Sequence, residues 1–193
     1  MNKVLYIILI SFFSLTIISC AKKSDTSSTT SSGLFVAVGN SGTLLTSSDG
    51  TSWTDRSFSG GSQNEYLKKV TYGNNNFVVT IQDNKIWNSS NNGVTWDSHT
   101  TNNDDVIGIT YGNGTFVGVG QGGAITTATT NLNSWTSRTS GSTSNFDDVI
   151  YANSIFMAVG GSGTILTSSD NGTSWTSRTS GTTNALYGVT YKE

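Results

Sequence analysis

Three arginines, one histidine, one cysteine and two glutamates are the side chains of this 193-residue chain whose scarcity bears most directly on chemistry. Arg56, Arg138 and Arg178 could together clamp a carboxylate, because a guanidinium presents a planar fork of donors. Each of them, however, lies three residues after a tryptophan, in WTDR, WTSR and WTSR. Equivalent places in a repeated unit face outward alike, so the three are expected on outer strands and not around one pocket. Glu65 adjoins Tyr66, and neighbours on an extended chain point to opposite faces, which makes them a poor acid–nucleophile pair. His99 takes the arginine's place in WDSH and reads as a surface residue, not as the base of a Ser–His–Asp triad. Asp104-Asp105 and Asp147-Asp148 could contribute to a Ca²⁺ site, although solvated loop carboxylates are the expectation. The glycine-rich run GNGTFVGVGQGG from Gly112 begins a strand and has no helix after it to cradle a phosphate. No catalytic residue, no metal site and no cofactor is expected.

Composition points the same way. Ser, Thr, Asn and Gly make up 101 of the 193 residues, and these are mediocre to poor helix formers. Only 11% of residues are charged and the formal net charge is −2, so the electrostatic footprint of a nucleic-acid binder is missing. A single cysteine excludes an intrachain disulfide framework and a multi-cysteine metal site.

That cysteine has an address. Lys3 precedes the apolar run VLYIILISFFSLTII, residues 4–18, which matches a secretory h-region and is shorter than the roughly 20 residues that span a bilayer. Ile17-Ile18-Ser19-Cys20-Ala21 follows and resembles the bacterial lipobox, with Ile17 where leucine is usual. The resemblance implies cleavage before Cys20 and its acylation, since stable anchoring takes more than one chain. Residues 1–19 are therefore expected to be a lipoprotein signal peptide. Residues 20–33 carry the lipidated cysteine and a Ser/Thr tether, AKKSDTSSTTSS, with no apolar periodicity. The expected location is the bacterial cell envelope, lipid-anchored, at the outer membrane or cell surface in preference to the inner membrane.

Residues 34–193 are four copies of one unit. Trp53, Trp96, Trp135 and Trp175 recur at about forty residues, as do Tyr72, Tyr111, Tyr151 and Tyr191, and Phe35, Phe77, Phe116 and Phe156. Each copy holds four short strand candidates separated by turn residues, graded from an apolar FMAV type to a polar SWTSR type. That grading predicts an all-β fold, a β-propeller of four blades with four antiparallel strands each. The copies start at the second strand and finish with YGVTY, residues 187–191. The C-terminal strand is thus expected to complete the first blade and close a monomeric ring, with a dimer closing an eight-bladed ring as the alternative.

The turn before each repeat tryptophan carries a family resemblance. Ser168-Ser169-Asp170-Asn171-Gly172-Thr173-Ser174-Trp175 fits the Asp-box of bacterial-neuraminidase-type repeats. Ser89 to Trp96 fits with Asn91 in the aspartate place and Gly93 in the glycine place. Ser47, Asp49 and Trp53 belong to a copy one residue short, and Ala128 to Trp135 is degenerate. The surrounding pattern is also similar to the repeats of sortilins and of the photosystem II assembly factor family. In such boxes the aspartate and serine staple a hairpin. The resemblance implies a structural role, away from any active site. A sialidase would further need an Arg-Ile-Pro motif, and the chain has no proline. The expected function is a non-catalytic binding scaffold for a protein or glycan partner; the alternative is a weak or remnant glycoside hydrolase. The loops that differ between copies carry Tyr66, Phe146 and Tyr187, aromatic platforms that suit a glycan or an extended peptide. That face is the candidate site.

Overall fold

Fifteen short strands of two to seven residues form among the described residues, apolar where they run through the core and polar at the outer edges. The computed structural model describes residues 33–57, 65–81, 84–101 and 105–193. The expected signal peptide, Cys20 and the tether as far as Ser32 lie outside these residues, as does Asp104.

The second blade holds β4 (Leu67–Gly73), β5 (Asn76–Ile81), β6 (Lys85–Ser89) and β7 (Asp97–Thr100), antiparallel in that order. The third holds β8 (Val106–Gly112), β9 (Thr115–Gly120), β10 (Ile125–Ala128) and β11 (Thr136–Arg138). The fourth holds β12 (Phe146–Ala152), β13 (Ile155–Gly160), β14 (Ile165–Ser168) and β15 (Thr176–Arg178). The first blade has three strands, β1 (Phe35–Val38), β2 (Leu44–Ser47) and β3 (Thr54–Asp55). For the described residues the architecture is the all-β, four-bladed propeller expected from the repeats.

Local chemistry explains the hairpins. Inner and second strands are joined by Asn74-Asn75, Asn113-Gly114 and Asn153-Ser154, all at positive φ. Two consecutive residues of that kind make the turn whose twist matches the flanking strands. Burial follows the predicted grading: β9 is buried at every position, whereas β7 and β15 are mostly exposed. Phe116, Phe146 and Phe156 are fully buried, each among the aliphatic side chains of its own blade and the one before it.

Blades join by a repeated step. Tyr111 and Tyr151 each lie on the glycine that ends the inner strand before them. A Cβ on Gly73 would fall 2.1 Å from the Tyr111 ring, and one on Gly112 would fall 2.0 Å from the Tyr151 ring. Only a residue without a side chain permits that approach. Within each blade the same tyrosine meets the repeat phenylalanine: Tyr72–Phe77, Tyr111–Phe116 and Tyr151–Phe156 have ring centroids 4.6–4.7 Å apart.

The C-terminal segment continues the pattern. The Leu186 N–H donates to the Gly160 carbonyl at 3.0 Å, as Leu67 does to Gly39 at 3.1 Å where the second blade begins. Leu186 to Tyr191 thereby starts where the inner strand of a following blade would start. It lies beside β12, with Val189 donating to Asp148 Oδ2 at 3.1 Å, and makes no ladder with β1 in this structure.

Candidate ligand face

Three sets of groups decide what this molecule can bind: the stapled hairpins, the loop face, and the charged groups beside the inner strands. In the fourth blade, Ser168 Oγ donates to Asp170 Oδ1 at 2.7 Å and accepts the Gly172 N–H at 2.9 Å. Asp170 in turn accepts from the Ser174 N–H at 3.0 Å and from the Ser174 hydroxyl. The Trp175 Nε1–H donates to the Gly172 carbonyl at 3.0 Å. Ser89, Asn91, Gly93 and Trp96 repeat the arrangement in the second blade, Asn91 Oδ1 accepting the Thr95 N–H at 2.9 Å. In the shorter first copy, Asp49 Oδ1 accepts the N–H groups of Thr51 and Ser52, both at 2.8 Å, while Trp53 is exposed. Gly172 has φ +76, and a Cβ there would press on Val117 and Thr127 of the third blade. The hairpin thus also locks one blade to the previous one.

These donors act on the acids. The Ser174 hydroxyl and backbone N–H, with Ser168, hold the Asp170 carboxyl at about 2. The Ser52 and Thr51 backbone N–H groups, followed by hydroxyls, hold Asp49 well below the ordinary carboxylate range. Such carboxylates stay ionised and make poor general acids.

Arg138 and Arg178 end outer strands, as expected, and Arg56 directly follows β3. Arg138 Nε donates to Thr127 Oγ1 at 2.9 Å and Arg178 Nε to Thr167 Oγ1 at 2.8 Å, each within its own blade. In the second blade the pair changes together: His99 Nε2 meets Asn88 Oδ1 at 2.5 Å. Burial lowers the His99 pKa, against the opposing pull of the Asp97 carboxylate. The ring is tied to its own blade and only partly exposed, more enclosed than the surface residue expected.

The aspartate pairs depart from expectation. Asp147 and Asp148 belong to β12 and not to a loop, and Asp148 is buried. Asp148 Oδ1 pairs with Lys69 Nζ at 3.1 Å and Asp105 Oδ1 with Lys68 Nζ at 3.4 Å. Lysines therefore occupy the carboxylates that a cation would need. No group of three His, Cys, Asp or Glu is placed to hold a metal among the described residues.

The loop face is built from one clasp used repeatedly. Turns of the second-to-third-strand connection, Gln121–Gly123 and Gly161–Gly163, lie against the loops that enter the inner strands. The Gln121 N–H donates to the Asp105 carbonyl at 3.0 Å and the Gly161 N–H to the Asn145 carbonyl at 2.8 Å. The outgoing loops are tied by their own hydroxyls, Ser140 to the Ser142 carbonyl at 3.1 Å and Ser180 to the Thr182 carbonyl at 3.0 Å. Between the last turn and the last loop is an open cleft of about 680 Å³, lined by Ser162, Arg178, Ser180, Thr182 and Thr183.

Of the three aromatic candidates, the structure exposes Tyr66 and Tyr187 and buries Phe146 completely. Phe146 fails as a ligand contact because it opens β12 on the core side, where Leu67 and Val106 open β4 and β8. A register shift follows each of these residues, so strict alternation does not hold there. The apolar residues shared at these aligned places were the available signal. Arg178 was the residue missed as a cleft wall, because its equivalence to Arg138 drew attention to the strand and not to the adjoining loop.

These features define a β-propeller of four blades. No protein-family model matches the sequence, and no curated protein matches it. Among solved structures it is similar to YCF48 bound to D1 peptide, with TM-score 0.62 and 18% identity over 76% of this chain and 51% of that one. YCF48 from Cyanidioschyzon merolae gives TM-score 0.60 and 15% identity over 78% and 54%. The computationally designed Ika8 protein gives 0.66 and 14% over 83% and 50%. The chain spans about half the length of each of these neighbours. The likeness shows the propeller fold.

Proposed function

We propose that this protein is a lipid-anchored envelope scaffold that binds an extended segment of a protein partner through its loop face. The cleft beside Arg178 carries the reading: a shallow groove of hydroxyls and one guanidinium, with Tyr187 exposed nearby in sequence. Such a lining offers donors and acceptors to a backbone and a planar fork to a carboxylate. Support comes from the neighbour whose structure holds a D1 peptide. A glycan is the other occupant that hydroxyls and tyrosines suit. The Ser/Asp hairpins are read as Asp-box staples with no part in binding. The anchor is Cys20, acylated after removal of residues 1–19, and the outer membrane or cell surface is the proposed location.

A peptide array and a glycan array probed with the full chain in mild detergent test the reading. Retained peptides are expected, with binding lowered at least tenfold by Arg178→Ala combined with Tyr187→Ala. Binding confined to glycans would transfer the site to the other ligand class. Peptide binding untouched by the double variant would move it off this face.

A further inference from the structure

The two ends of the blade array are incomplete in complementary ways. Among the described residues the first blade has strands two to four and no inner strand, while residues 186–191 start where the inner strand of a further blade would start and join no ladder. Three tyrosine–phenylalanine pairs recur at 4.6–4.7 Å. The fourth phenylalanine and fourth tyrosine stand apart: Phe35 is 57% and Tyr191 50% exposed, whereas Phe116 and Phe156 are fully buried. Tyr72, the first of the series, is 54% exposed, while Tyr111 and Tyr151 lie on Gly73 and Gly112.

We propose that a second copy of this chain covers these edges, each copy adding residues 186–192 to β1 of the other, so that two chains close one eight-bladed ring. The place of the last segment favours the second copy over closure within one chain: residues 186–191 lie beside β12 and make no ladder with β1 of their own chain. A second copy has the same two ends, and a two-fold axis brings each segment to the vacant edge of its partner. Pairing hides the unsatisfied N–H and C=O groups of β1, which would otherwise template aggregation.

The register follows from the fourth blade, where Tyr151 faces Phe156 and Ile150 faces Met157. Tyr191 then faces Phe35 of the second copy, and Thr190 faces Val36. Opposed Cα atoms in an antiparallel pair are about 4.5–5.5 Å apart, within disulfide range. The full chain in mild detergent is expected to sediment with twice the single-chain protein mass. The V36C/T190C variant, oxidised, is expected to give mainly a covalent dimer whose 36–190 disulfide is found by peptide mapping. Differently tagged copies, one V36C and the other T190C, should cross-link to each other. A single-chain mass, a 36–190 disulfide within one chain, or a mass of three or more chains overturns the proposal. A two-chain mass without the disulfide overturns it too, because the contact then lies elsewhere.

Discussion

At the scale of residues, the acids divide into those that hold turns and those that hold lysines. Asp170 illustrates the first. Its native carboxyl sits at about 2 because Ser174 and Ser168 donate to the ionised form, against roughly 3.9 for a free aspartate. A depressed value means stability that is present above about pH 4 and lost as the pH falls towards 2. The melting temperature is therefore expected to drop across that window, with Asp49, shifted in the same direction, adding to the fall. Asp170→Asn should keep the hairpin at pH 7, since Asn91 already serves in the second blade, and should flatten the acid dependence. Melting curves from pH 7 to pH 2 check this; an unchanged slope in the variant would refute the link. The staple was readable in the sequence because its donors and acceptors lie within four residues of one another. The lysine pairs were not, since Lys69 and Asp148 are 79 positions apart and meet only when blades assemble.

At the scale of elements, strand order was legible because each strand's burial is written in its own composition. FVGV is covered on both sides and DSHT is not. What a single strand does not disclose is how the next blade seats upon it. The tyrosine-on-glycine step supplies that seating, and it makes a sharp prediction. Gly112→Ala would place a methyl 2.0 Å from the Tyr151 ring, an overpacking that costs typically 1–3 kcal/mol. A melting temperature lowered by several degrees is expected, with partial recovery in Gly112→Ala/Tyr151→Ala, which removes the ring. Equal destabilisation in the double variant would show that the glycine is needed for some other reason. The position also carries Ala152 in the fourth blade. There Tyr191 and Ala152 line an apolar cavity of about 160 Å³, so the last step is looser than the others. Phe146 belongs to this scale as well: expected in the variable loop, it instead opens β12, buried just before a register shift.

At the scale of the whole molecule, the blade count was open to inspection in the spacing of Trp, Tyr and Phe. Ring closure was not, because curvature emerges from the angle between neighbours and leaves no local mark. Anchoring belongs here too. Cys20→Ser is expected to abolish incorporation of an alkyne fatty-acid probe and to release the protein from the membrane fraction. Label retained on the variant would refute lipidation at that residue. No helix among the described residues is long and apolar enough to cross a membrane. The tyrosine step has one more consequence, at the level of the gene. Every forty-residue unit brings a tyrosine to set down and, three times in four, a glycine or alanine to set the next one upon. An in-frame duplication thus delivers both halves of a joint at once, and a blade can be gained or lost without inventing a new contact. Lineages built on such a unit can change the size of their rings by copying alone.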